Sequence, residues 1–202
     1  MASETGKAAI RRGFDRRYVR YLAGSGIDIG SGDDPLSAYM ELFPLMKSCR
    51  SWDKEDGDAK YMEGVDKDTY DFVHSSHCLE HLSDPACALA RWIDICKPGG
   101  YLLITVPDED LYEGGVWPST WAGAGHLWSF TIHKPRDGVR KSWAPYSFSV
   151  TTLLKWVEDK VSILKIELLD AGFFYNAPRF DQTRTVTGEC AIEIVLRKHA
   201  ST

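Results

Sequence analysis

The chain has 202 residues, 24 basic and 29 acidic side chains for a formal net charge of −5, and 44% hydrophobic and 12% aromatic residues. That length suits one domain burying about 70% of its unfolded surface, and so apolar a composition excludes a disordered chain. No run reaches the ~18 uncharged apolar residues of a membrane span, the opening MASETGKAAIRRGFDRR lacks the apolar core of a secretory leader, and the acidic balance argues against nucleic acid as a partner.

Residues 8–22 read as a helix with Ile10, Phe14 and Tyr18 at near-helical spacing. The cations around them (Lys7, Arg11, Arg12, Arg16, Arg17, Arg20) read as a solvated face. Gly24-Ser25-Gly26 ends this helix, and GIDIGSGDDP runs a short strand into a glycine turn. KSCRSWD, residues 47–53, is a second strand and YDFVHSS, residues 70–76, another. SDPACALARWIDICKPGG carries helix punctuation, with Ser83 as the cap, Pro85 in the first turn and Lys97-Pro98-Gly99-Gly100 at the end. YLLITVP, 101–107, has the continuous apolar character of a strand buried on both faces. Residues 151–160 read as a helix, and SILKIELLD and CAIEIVLRK as the last two strands. Strand–helix–strand units of this kind imply an α/β fold with a mostly parallel sheet covered on both faces. The closeness of the last two strands implies that the final one returns antiparallel. The cysteines (Cys49, Cys78, Cys87, Cys96, Cys190) are odd in number and contain no CxxC pair, so they read as thiols of a cytoplasmic protein.

Ligands of such sheets bind beyond the strands' C-terminal ends, which puts the weight on the turns. In Asp28-Ile29-Gly30-Ser31-Gly32-Asp33-Asp34-Pro35 the glycines let main-chain N–H groups approach a ligand, while Asp33 and Asp34 would repel a pyrophosphate and disfavour a nicotinamide cofactor. Asp53, 21 positions after Gly32, stands where an acid accepts hydrogen bonds from ribose hydroxyls.

DIGSG, SWDKEDGDA, YDFVHSSHCLEHLSDP and KPGGYLLITVP, in this order and spacing, resemble the class I S-adenosylmethionine (SAM) dependent methyltransferases over about residues 14–106 and 186–197. The resemblance implies a Rossmann-like seven-stranded sheet, one domain over 1–202 with residues 1–24 as an N-terminal helix or lid and 107–148 as a substrate-side insertion, and SAM as cofactor. It assigns Asp28, Gly30 and Gly32 to the methionine and ribose portion, Asp53 to the ribose, Asp58-Ala59 to the adenine, and Ser75-Ser76-His77 to the sulfonium side. It also implies that the helix around Arg16, Arg17 and Tyr18 covers the cofactor. Two features depart from the family pattern. Asp34 occupies the third glycine position, and the short stretch after Asp53 leaves little room for a regular third strand.

In HCLEH, His77, Glu80 and His81 stand at i, i+3 and i+4, which on a helical turn share a face and offer imidazole and carboxylate to a divalent ion. The small-RNA 3′-terminal 2′-O-methyltransferases and the ubiquinone-pathway O-methyltransferases carry Glu-x-x-Glu-His here. The RNA enzymes add a later histidine in a segment that Gly125–Phe130 resembles, so the likeness implies a site of His77, Glu80, His81 and His126. Without metal, His77 or His126 is the natural general base, and His74 and His133 read as structural histidines. The irregular stretch 107–148 follows the fifth strand of the expected fold and holds Trp117, Trp121, Trp128 and Trp143, with Asp108, Glu109 and Tyr112 placed to line a pocket. The expected activity is O-methylation of a small molecule or saccharide. The alternatives are a metal-dependent RNA 3′-end 2′-O-methyltransferase and a non-catalytic binding or scaffold protein.

Overall fold

The computed structural model describes residues 4–116, 118–119, 125–134, 147–177 and 181–200. Trp117, Trp121 and Trp143 of the expected acceptor segment lie outside the described residues. The chain opens with helices α1 (Glu4–Gly13) and α2 (Arg16–Tyr21), then strand β1 (Gly24–Ile29), a 3₁₀ segment at Leu36–Leu42, and β2 (Met46–Trp52). β3 (Tyr70–Ser76), helix α3 (Pro85–Ile95) and β4 (Cys96–Pro107) follow. The chain then forms the short β5 (Ser129–Thr131) and β6 (Ser147–Ser149), helix α4 (Val150–Lys155), β7 (Val161–Leu169) and β8 (Ala191–Lys198).

Six strands pair in the order β2-β1-β3-β4-β8-β7, and β5 pairs with β6 separately. β2, β1, β3 and β4 are parallel, whereas β8 runs antiparallel to both β4 and β7. The returning last strand matches the expectation, and among the described residues the main sheet has six strands where seven were expected. After Asp53 the backbone closes turns on itself, with Asp56 N–H on the Asp53 carbonyl (2.9 Å) and Met62 N–H on that of Asp58 (3.0 Å). Arg91 of α3 then ties down the carbonyls of Tyr61 and Met62, so this stretch packs on a helix and β2 is left as a sheet edge.

One sheet face packs Ile27, Ile29, Val73, Leu102 and Ile104 against α3 and α4, and the other packs Phe72, Leu103 and Val195 against Ala9 of α1 and Tyr18 and Tyr21 of α2. Gly26 makes room for this second face, because a Cβ there would sit 2.1 Å from the Phe72 ring. The cap of α3 is Asp84, whose side chain accepts from Cys87 N–H at 2.9 Å, and not Ser83, which receives Lys60 Nζ. β4 begins at Cys96, earlier than the sequence pattern implied, because the Lys-Pro-Gly-Gly turn is absorbed into the strand's start.

The N-terminal segment differs most from expectation. The single helix of 8–22 breaks at Asp15, which takes an extended backbone and caps α2 by accepting from Arg17 N–H at 2.9 Å. Of the apolar pattern only Tyr18 is buried. Phe14 is 89% exposed and Ile10 57% exposed, whereas Arg12 is fully buried. Its guanidinium donates to Glu193 Oε1 on β8 (2.8 Å), Thr105 Oγ1 on β4 (3.0 Å) and His74 Nε2 on β3 (2.8 Å). Arginine can only donate, so His74 Nε2 is the acceptor and Nδ1 carries the proton, which it gives to Asp28 Oδ1 at 2.6 Å.

Removing one partner from such a buried charged network strands the others, so Arg12→Met should cost about 3–5 kcal/mol in urea unfolding. Arg17→Ala, which breaks only the exposed pair with Asp15, should leave the midpoint unchanged.

Candidate functional site

The turn after β1 is shaped from beneath. Asp28 accepts Leu36 N–H on Oδ2 (2.7 Å) and His74 on Oδ1, so both of its oxygens are engaged and it faces inward. Gly30 and Gly32 both have left-handed backbones, at φ 76° and 52°, and Gly30 and Ser31 N–H donate to the Trp52 carbonyl at the end of β2. A Cβ on Gly32 would meet nothing within 4 Å, whereas one on Gly30 would lie 2.5 Å from Cys78 Cβ. Asp34, which departs from the family's third glycine, holds the neighbouring elements by accepting Tyr39 Oη (2.6 Å) and Gly6 N–H (2.8 Å). The helix lying against this turn is therefore α1. The Arg16–Tyr18 segment expected to cover it lies elsewhere, with Tyr18 hydrogen-bonded to Glu193 and Lys165. Asp53 is half-buried at the end of β2, with Oδ1 accepting Lys54 N–H (2.8 Å). Asp58 is exposed and accepts Lys60 N–H, and the Ala59 carbonyl receives the indole N–H of Trp92. Ser75 Oγ donates to the Ile29 carbonyl, a structural bond, whereas Ser76 Oγ is buried with no hydrogen bond.

Beyond β3, HCLEH is not an α-helical turn. His77 takes a left-handed backbone (φ 53°), a strained choice for a non-glycine residue that costs roughly 1–3 kcal/mol, and only Leu79–His81 coil, as a 3₁₀ turn. The Glu80 carbonyl then accepts Leu127 N–H (2.8 Å) and Trp128 N–H (3.1 Å), and Trp128 Nε1 donates to the Leu82 carbonyl (2.7 Å). These bonds carry His126 across 46 residues of chain to Glu80. One ligand atom each of Glu80, His81 and His126 lie within 4.8 Å of one another. His77 stands outside that trio, with Nδ1 3.5 Å from Glu80 Oε1 and Nε2 3.8 Å from Glu4 Oε2. Tyr112 packs on both the His77 and His126 rings at 4.9 and 6.0 Å between centroids.

Seven acidic residues are buried among the described residues, and six of them accept hydrogen bonds: Asp28, Asp108, Glu109, Glu113, Glu189 and Glu193. Glu80 accepts none on either oxygen. Burial pushes its pKa up, but His77, His81 and His126 outweigh that and hold it below the usual carboxylate range. For His77 burial works against the charged form, and Glu80 more than offsets it, raising the imidazole pKa. A buried polar atom without a partner calls for an explanation, and two imidazoles beside a carboxylate are a donor set that fits a first-row divalent cation.

Residues 8–158, well over half of the chain, match the methyltransferase domain family. This chain belongs to the class I SAM-dependent methyltransferases. Its fold is similar to that of a SAM-dependent methyltransferase from Mesorhizobium loti (TM-score 0.59, 13% identity, 96% of this chain and 98% of that one) and of one from Archaeoglobus fulgidus (TM-score 0.57, 17% identity, 96% and 94%). It is also similar to the cyclase SpnF (TM-score 0.51, 14% identity, 97% and 83%), so the fold by itself does not fix the chemistry. No curated protein matches the chain's sequence. No described helix of the methyltransferase is long and apolar enough to cross a membrane.

SAM is the cofactor of the methyltransferase, and the turn of Gly30 and Gly32, the Asp53 carboxylate and the free Ser76 hydroxyl lie at the C-terminal end of the parallel strands. Sequence reading missed Glu4, Glu113 and Ser119. Glu113 lies in a stretch with no periodicity to mark it, and only the fold brings it to His126.

Two outcomes follow. Gly30→Ala combines an unfavourable backbone with a clash at Cys78, and calorimetry should show S-adenosylhomocysteine binding weakened at least tenfold. Asp108 is raised to about 6, first by burial, with Asp110 and Glu109 adding to it against the backbone N–H bonds of Leu111 and Asp110. A folded-state pKa above the unfolded value means that stability is lost as pH rises through 6. Asp108→Asn should therefore gain on the parent by about 1–2 kcal/mol in urea unfolding between pH 5 and pH 7.5.

Proposed function

We propose that the methyltransferase is a cytoplasmic single-domain enzyme that transfers the SAM methyl group to a hydroxyl oxygen of a small molecule or saccharide, with a divalent ion at Glu80, His81 and His126. The observation that carries this reading is the buried Glu80 carboxylate, which accepts no hydrogen bond and has two imidazoles within ligand distance of each other and of it. Gly30 and Gly32 shape the main chain beside the methionine and ribose portion, with Asp28 holding that turn from below. Asp53 accepts from the ribose, Asp58-Ala59 borders the adenine, and Ser76 and His77 face the sulfonium.

Methyl transfer is an in-line displacement. The acceptor oxygen forms a bond to the methyl carbon as the carbon–sulfur bond breaks, leaving S-adenosylhomocysteine, and the hydroxyl proton leaves to a base. The chain's contribution is to align the two reactants, exclude water and take that proton, with His77 beside Glu80 as the receiving group. When bound, a divalent ion supplies Lewis acidity that lowers the pKa of a nearby hydroxyl. The donor set favours Zn²⁺, Mn²⁺ or Co²⁺ over an ion that prefers oxygen ligands alone. The acidic net charge supports a small acceptor over RNA, whose affinity rests on phosphate neutralisation.

One observation favours a second, metal-free reading. Glu113 Oε1 lies 2.6 Å from His126 Nδ1, the arrangement that orients a histidine base.

Metal analysis of the purified protein, with calorimetric titration of S-adenosylhomocysteine in the presence and absence of Zn²⁺, Mn²⁺ and Mg²⁺, separates these readings. The expected result is stoichiometric metal that is lost in His81→Ala while S-adenosylhomocysteine still binds. Cofactor binding without metal would leave His126 as base, and failure to bind S-adenosylhomocysteine would sink both.

A further inference from the structure

We infer that Glu113 is a positioning residue for the metal centre, acting through His126, and that Ser119 completes the arrangement. The inference rests on the metal-dependent reading above. The Glu113 and His126 side chains are both buried, and Glu113 Oε1 is 2.6 Å from His126 Nδ1. Glu113 Oε2 accepts a short hydrogen bond from Ser119 Oγ. A carboxylate accepts, so Nδ1 bears the proton, and the lone pair of His126 is left on Nε2, the nitrogen available to the Glu80–His81 pair.

Glu113 and the His126 segment are held independently of one another. Glu113 N–H is bonded to the Asp108 carbonyl (3.2 Å) just past the end of β4, so the carboxylate is held from the sheet. Leu127 and Trp128 fasten the His126 segment to the Glu80 carbonyl, which sets the imidazole's approach without setting its rotation or its tautomer. Gly125, with φ 88°, lets the chain turn beside His81, because that left-handed backbone favours glycine. What remains to be fixed is the ring, and Glu113 fixes it. Tyr112 stacks on the same ring at 19° between planes, which leaves the imidazole plane little freedom. An outer carboxylate that locks the tautomer also raises the basicity of the ligating nitrogen, and removing one costs roughly 10–100-fold in metal affinity.

The test is Co²⁺ titration of the full chain, followed by visible absorption, for the parent, Glu113→Gln, Glu113→Ala and Ser119→Ala, with the affinity for S-adenosylhomocysteine and the urea midpoint measured on each. Co²⁺ affinity should fall about tenfold in Glu113→Gln and toward a hundredfold in Glu113→Ala, with an altered absorption envelope. Ser119→Ala should lose only a few-fold, and all three should keep the parent's S-adenosylhomocysteine affinity. Variants that bind Co²⁺ as the parent does would overturn the inference, as would losses of Co²⁺ and S-adenosylhomocysteine binding that track a falling urea midpoint. A parent chain that binds no Co²⁺ would remove the metal reading and this inference together, a result distinct from parent binding with unaltered variants.

Discussion

The buried Arg12 guanidinium is the tie on which the two ends of this fold depend. It joins α1 to β3, β4 and β8, and through His74 it reaches Asp28 and so the turn after β1. Glu193 anchors the arrangement. Burial alone would raise its pKa, but Arg12, Arg11 and Lys165 hold it well below the usual carboxylate range. A guanidinium is suited to this place because its donors form a planar fork and its charge is never lost. The consequence reaches the ligand side of the sheet. With Asp28 committed to His74 and Leu36, the turn takes its shape from a fixed lower layer.

The same anchoring brings α1 across the end of the sheet. Gly6 N–H reaches Asp34 on the turn, Lys7 Nζ reaches the Gly188 carbonyl (2.9 Å) as well as Glu4 (2.8 Å), and the second oxygen of Glu4 is left buried beside His77. The first turn of α1 thus touches both the turn after β1 and His77. The departure from the family's glycine pattern at Asp34 has a physical use here, because a glycine could hold neither Gly6 nor Tyr39.

What was legible in the sequence was local. The glycine turn, the apolar strands around it and the antiparallel return of the last strand are set by backbone freedom and by the spacing of apolar residues, both written in consecutive positions. The helix read over residues 8–22 was misplaced because a helix's buried face is set by its partners, and Arg12 finds Glu193 181 positions away. The seventh strand was expected from resemblance, and turns pinned by Arg91 and Trp92 took its place. HCLEH was read as one helical face, but His77 takes a left-handed backbone and only Leu79–His81 coil, so His77 reaches Glu80 from beside the Glu80–His81–His126 group and not from within it. Glu113 could not be found at all by sequence, since its significance is a contact with His126 in a segment without period.

The buried carboxylates of this chain supply their own comparison. Taking an ion out of water costs several kcal/mol, and the folded chain regains it only through charges and donors placed around the ion. Glu193 receives two arginines, a lysine and a tyrosine; Glu113 a histidine and a serine; Asp28 a histidine and a backbone N–H. Where such a group serves structure, this sequence surrounds it with donors. Glu80 is buried as deeply, with His77 Nδ1 and His81 Nε2 at 3.5 and 3.8 Å and no hydrogen bond to either oxygen. Its surroundings contain imidazoles, one of them oriented by a further carboxylate, and imidazoles can offer lone pairs where lysines or arginines would only offer protons. What this arrangement leaves is one ligand atom each from Glu80, His81 and His126 within 4.8 Å of one another, beyond the C-terminal end of β3.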